Sequence, residues 1–313
     1  MALSTTNRLP KIRRADPEQL PPFTLGESHR TMLRLLHHYR YLTAPLLALA
    51  YSQERGRGRS HVENELGKLY HRGYVERHYY STRPTGYGSD AFVYALAPKG
   101  GHEILDEAGK YGNARLALYN RAKPKENYKH HLAVSTLQLI LELGAGPWTL
   151  EAFYGDDDEA TKFEATVEHR KRHYYPDALA VLRFPNGKRA GYFFELDLAH
   201  KNQQRLDARF LGYAQHLTEH REVLCRKHEL SGAVAVIVSA NDHERERTGQ
   251  RAIKSLAGKN RDARRRFLFW TLDSWYSGSG KDRRLKEPRE ILGQENVADA
   301  AANWRQLVNI ANH

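Results

Sequence analysis

Three acidic residues carry the clearest chemical potential in this chain. Asp177 follows Pro176, and Glu195 and Asp197 come eighteen and twenty positions later within AGYFFELDLA. In a strand, Phe193, Glu195 and Asp197 share one face while Phe194, Leu196 and Leu198 share the other. Asp177, at the start of a neighbouring strand, can join the two carboxylates. Like charges this close raise each other's proton affinity, and an unpaired buried charge costs on the order of several kcal/mol, so something positive must sit among them. One answer is a divalent cation, Mg2+ or Mn2+, held by Asp177, Glu195 and Asp197, which would bind a DNA phosphate and activate water. The other answer is a side chain: Lys201, Arg205 and Arg209 lie on or just before the next helical segment and can neutralise the cluster with or without catalysis. Glu142, on the preceding helix, is a candidate additional ligand.

The elements that must position these acids form an α/β pattern. Residues 127–146 read as a helix. WTLEAFY (148–154), YYPDALAVLRF (174–184) and AGYFFELDLA (190–199) read as strands, and QQRLDARFLGYAQHL as an amphipathic helix. SGAVAVIVSA (231–240) has the unbroken apolar run of a strand covered on both faces. A basic helix near 243–258 and a strand at 266–273 complete the order α-β-β-β-α-β-α-β.

The first part of the chain has a different pattern. Residues 28–38 place Met32, Leu33, Leu35 and Leu36 at helical spacing, with Ser28 as the N-cap. Thr43 caps a second helix that has Pro45 in its first turn. After the basic turn SQERGRGR, a third helix runs from about Ser60 to Arg72, and Gly73 is placed to end it in a left-handed conformation. VERHYY and DAFVYALA then alternate as strands around STRPTGYGS, a hairpin loop. Three short helices and a hairpin give the order of a winged helix-turn-helix, whose third helix enters the major groove. Arg55, Arg57, Arg59, His61, Lys68 and Arg72 on or beside that helix, with Arg77 and Arg83 on the wing, are the expected DNA contacts, Arg57 and Arg59 foremost. The alternative is a protein-docking module with a solvated charged face.

Composition supports a polyanionic partner. The 313 residues carry 49 Lys and Arg against 37 Asp and Glu, a net charge of +12. The excess is +8 through residue 127 and +4 beyond it. A single cysteine, Cys225, excludes an intramolecular disulfide and a cysteine zinc cluster. Without a signal-like stretch or an apolar run of membrane-spanning length, a cytoplasmic location is expected. The seventeen histidines, including His130-His131 and His173, show no zinc-ligand spacing. The expected organisation is a basic arm (1–27), a winged helix (28–110), a connector (111–127), the α/β domain (128–276), and a linker with a C-terminal helix (277–313) that can pack on its own domain or form a homodimer.

Two resemblances follow from these residues. Pro176-Asp177, the acidic strand and the α-β-β-β-α-β order resemble the restriction-endonuclease-like, or PD-(D/E)XK, superfamily, which implies metal binding by Asp177 and Glu195. Where that superfamily has a catalytic lysine, two positions after the glutamate, this chain has Asp197. The second resemblance spans most of the chain and is to the replication-relaxation family. It is carried by the winged helix, the basic hinge, His131-Leu132, Pro176-Asp177-Ala178, Phe194-Glu195-Leu196-Asp197 and Arg209…Tyr213. Arg209 replaces that family's usual lysine, and Leu198-Ala199-His200 replaces its small Gly-Thr segment. The resemblance implies a protein of plasmids, prophages or integrative elements that binds double-stranded DNA in replication control or relaxation. The alternatives are a metal-dependent nuclease or nickase and a transcriptional regulator.

Overall fold

A computed structural model of the chain describes residues 14, 20–56, 58–80, 91–108, 128–143, 148–156, 158–198, 203–258, 261–272, 275–277 and 284–285. The fold is mixed α+β and divides into two compact units, residues 1–128 and 129–313.

The first unit opens with α1 (Glu27–Tyr39), β1 (Tyr41–Thr43), α2 (Ala44–Arg55) and α3 (Arg59–His71). Its core contains Met32, Leu33, Leu36, Leu47, Val62, Leu66 and Leu69, the apolar positions that the helical spacing selects. The α1 N-cap is Gly26, and Ser28 lies inside the helix. Ser28 does not cap: its Oγ is 2.8 Å from Tyr51 Oη and 3.0 Å from His61 Nε2, which ties α1 to α2 and α3. His29 takes the capping role, with Nδ1 accepting from Gly26 N–H at 3.1 Å.

At the end of α3, Gly73 has φ +78°. Its N–H bonds the Tyr70 carbonyl and Tyr74 N–H bonds the Leu69 carbonyl, each at 3.0 Å, forming a Schellman closure. β2 (Val75–Tyr80) and β3 (Ala91–Leu96) pair antiparallel, and β1 adds to the free edge of β3 to give the order β1-β3-β2. β1 is too short to announce itself in sequence. The hairpin loop, with Arg83, lies outside the described residues, as does Arg57. α4 (Pro98–Ala108) ends the described part of this unit.

The second unit comprises α5 (Tyr128–Leu143), β4 (Thr149–Gly155), the hairpin β5 (Phe163–Val167) and β6 (Arg170–Tyr174), then β7 (Ala178–Arg183) and β8 (Arg189–Asp197). α6 (Gln203–Thr218), α7 (Arg221–His228), β9 (Gly232–Ser239), α8 (Asp242–Ser255), α9 (Arg261–Arg264) and β10 (Phe267–Thr271) follow. The five-stranded sheet has the order β10-β9-β8-β7-β4. β4, β7 and β8 are antiparallel neighbours, whereas β9 is parallel to both β8 and β10.

β9 is covered on both faces, as its apolar run implies. Ala235 and Ile237 pack in one layer with Phe193, Phe210 and Tyr213, while Val236 and Val238 pack in the other with Leu137, Ile140 and Phe194. α8 is fixed to α6 by a two-bond Arg251–Asp207 pair at 2.8 and 2.5 Å.

Three expectations change. The strand expected at 174–184 is broken at Tyr175-Pro176-Asp177, where the proline offers no N–H to a ladder. β6 therefore ends at Tyr174 and β7 starts at Ala178. A second hairpin, β5–β6, stands between β4 and β7 and packs its Phe163, Ala165 and Val167 into the α6 layer. Finally, the stretch after Trp275 is not all linker, because β11 (Tyr276–Ser277) pairs with β12 (Arg284–Leu285). The expected helix around 297–310 lies outside the described residues.

Candidate functional site

In the second unit, the break before β7 creates the acidic site. Asp177 N–H still bonds the Phe194 carbonyl at 2.9 Å, extending the β7–β8 ladder by one residue. Its carboxylate then acts as the next acceptor, with Oδ2 receiving Leu196 N–H at 2.6 Å. Oδ1 lies 3.1 Å from Nε2 of His130, in the first turn of α5. Asp177 is 8% exposed and Glu195 only 1%. Glu195 points from β8 toward α6, where the Arg209 guanidinium meets its Oε1 in a close ion pair.

Tyr213, one helical turn beyond Arg209, completes the surroundings. Its hydroxyl is buried and has no hydrogen-bond partner among the described residues. Burial pushes that phenol well above its ordinary pKa; the Asp177 charge adds to the shift and Arg209 opposes it.

Other expected members of this cluster are placed differently. Asp197, at the end of β8, is half-buried on the Glu195 face by strand alternation. Arg205 is exposed on the first turn of α6. Lys201 lies outside the described residues. Glu142 is exposed and accepts a bond from Gln138 at 2.9 Å. It stands twelve residues beyond His130 on α5, about 18 Å along the helix axis, and so is no companion to Asp177.

Among the described residues, no group of three or more His, Cys, Asp and Glu side chains has the arrangement to hold a metal ion. Asp177 is engaged by an amide and an imidazole, and Glu195 by a guanidinium. Among the described contacts, the acids are met by protein groups, and Arg209 is the cation that answers Glu195. His130 is the member that residue spacing does not reveal, since adjacent histidines carry no pairing signal.

In the first unit, every described candidate DNA contact also has an internal partner. Arg55 bonds Glu27 at 2.9 Å and Thr31 at 3.2 Å. Arg59 bonds Glu63 at 2.6 Å, and His61 meets Ser28. Lys68 reaches Glu65 at 2.7 Å, while Nε2 of His29 lies 2.5 Å from the other Glu65 oxygen. Because His29 Nδ1 is an acceptor, its Nε2 carries the proton. Burial pushes the Glu65 carboxyl up, but the bonds from Lys68 and His29 outweigh it and leave the group below its ordinary value. Arg72 bonds the Pro21 carbonyl and lies over the Phe23 ring, and Arg77 is held over the rings of Tyr70 and Phe92. These partners pre-order the long side chains. Arg59 and Lys68 remain 65% and 53% exposed.

The family model for replication-relaxation matches residues 33–234, more than half of the chain. The chain belongs to the replication-relaxation family. That match spans α2, α3, the β2–β3 hairpin and the whole acidic cluster. No curated protein and no solved structure matches the chain. Among the described residues, no helix is long and apolar enough to cross a membrane.

Proposed function

We propose that this replication-relaxation protein binds double-stranded DNA and acts in the replication control or relaxation of a plasmid-type mobile element. On this reading residues 28–110 are a winged helix-turn-helix: α3 is the groove-entering helix and β2–β3 is the wing. The observation that carries it is the order α1-β1-α2-α3-β2-β3, with β1 and β2 flanking β3 in one antiparallel sheet. The net charge of +12 complements a duplex.

The α5-β4-β7-β8-α6-β9 order, with the β5–β6 hairpin and α7 inserted into it, supports a restriction-endonuclease-like ancestry for the second unit. The pairing of Glu195 with Arg209 favours a scaffold or additional DNA contact over cleavage. Two measurements on the purified full chain test this. A gel-shift titration with plasmid-derived duplexes should show binding that weakens as salt rises; no shift at low salt refutes the proposal. Supercoiled plasmid incubated with the protein and Mg2+ or Mn2+ should stay supercoiled. Nicking that disappears in Asp177→Ala would establish the nuclease reading instead.

A further inference from the structure

α3 buries Val62, Leu66, Leu69 and Tyr70 on one side. Its opposite side presents Ser60 and Asn64, both exposed, then Gly67, at intervals of four and three residues. The charges on this helix cancel pairwise, since Arg59 faces Glu63 and Lys68 faces Glu65. Its outward surface is therefore polar without being strongly basic.

Among the described residues, no steric contact requires glycine at position 67. Its backbone is not among the positive-φ positions, and a Cβ built there meets no atom within 4 Å. Two other helical glycines differ. A Cβ at Gly100 would lie 2.1 Å from the Tyr74 carbonyl oxygen, and one at Gly212 would lie 2.2 Å from Tyr174 Cζ. Alanine at Gly67 would fit against the described residues and would strengthen the helix, whereas glycine leaves the α3 backbone bare for close approach by a partner.

Resting on the DNA-binding reading above, we propose that Ser60 and Asn64 read base edges in the major groove and that Gly67 brings the α3 backbone into close approach with the duplex. An asparagine amide matches the N6 donor and N7 acceptor of adenine, whereas a serine hydroxyl serves several bases. The target therefore contains an A·T pair opposite Asn64. Arg55, Arg59 and Lys68, ordered by their acidic partners, border this strip and contact phosphates, which set register and not sequence.

The test uses the full-length protein and a pool of short duplexes with a randomised centre, selected through rounds of binding. The wild-type protein should enrich a sequence with an invariant A·T pair. Asn64→Ala should lose the preference at that pair, with roughly tenfold weaker binding to the enriched duplex and unchanged binding to an unrelated one. Gly67→Ala should bind the enriched duplex about tenfold more weakly while its Tm rises by roughly 2 °C. Retained preference in Asn64→Ala, or wild-type affinity in Gly67→Ala, overturns the inference. So does a lowered Tm in Gly67→Ala, which would place the need for glycine inside the protein. A wild-type protein that binds the pool without enriching any sequence overturns base reading and leaves DNA binding standing; one that does not bind the pool even at low salt fails the DNA-binding reading itself, and the inference with it.

Discussion

The Glu195–Arg209 pair carries the largest single-residue consequence. With Glu195 1% exposed, removing its cation leaves a buried carboxylate that must stay charged without compensation or take up a proton. Arg209→Ala should therefore lower unfolding free energy by about 3–5 kcal/mol, measured by urea denaturation, and the loss should shrink in the Arg209→Ala/Glu195→Gln double variant. Equal losses in the single and double variants would show that the pair does not act as a unit. His216 gives a pH signature. Its ring stacks on Phe163 at 4.0 Å with buried Nδ1 unpartnered among the described residues. Burial, with lesser contributions from His220, Lys227 and His228, lowers its pKa from 6.5 to about 3. The folded state thus resists a proton that the unfolded chain accepts. Stability from this group is complete above pH 6.5 and declines as pH falls toward 3, by at most about 1.4 kcal/mol per pH unit. His216→Phe should flatten that decline in denaturation curves collected across this window; an unchanged slope would remove His216 as its source.

What the sequence discloses at the element scale depends on how each element is stabilised. α1, α3, β8 and β9 bury regular apolar faces, and their periodicity is visible in the residues themselves. The β5–β6 hairpin is hidden for two physical reasons. β6 is RKRHY, whose basic side chains mask any alternation, and its turn is built from Glu168 and His169 at φ +52° and +60°. Two-residue turns with both φ positive ordinarily announce themselves as Asn-Gly. Here the strain of two bulky left-handed residues is offset by packing of Phe163, Ala165 and Val167 on the α6 layer and by Gln215, whose Oε1 accepts Thr166 N–H at 2.6 Å. Replacing Glu168-His169 with Asn-Gly should raise stability by about 1 kcal/mol, read as a higher Tm, despite loss of the 3.6 Å Glu168–Arg172 pair. A lower Tm would mean that the native side chains, and not the backbone, set the turn.

For the whole molecule, the acidic residues of the second unit are visible in the sequence before their partners are. Spacing alone left open whether a metal ion or a side chain answers Glu195, because Arg209 reaches it only through the packing of α6 on β8. The same rule operates in the first unit, where basic residues counted as available for DNA also hold the fold together through Glu27, Glu63 and Glu65. On the proposed DNA-binding reading, the contacts must then come from cations that stay solvent-facing while partnered, together with the overall positive potential. Exchange of counterions at the three phosphates proposed for Arg55, Arg59 and Lys68 predicts a slope of about −2.7 in a plot of log affinity against log salt. Between roughly 50 and 200 mM salt that slope amounts to a loss of about fortyfold. Arg59→Ala should bring the slope about one unit closer to zero if its guanidinium also reaches a phosphate. If the slope is unchanged while Tm falls, Arg59 serves only Glu63, and the phosphate contacts must come from elsewhere on the surface.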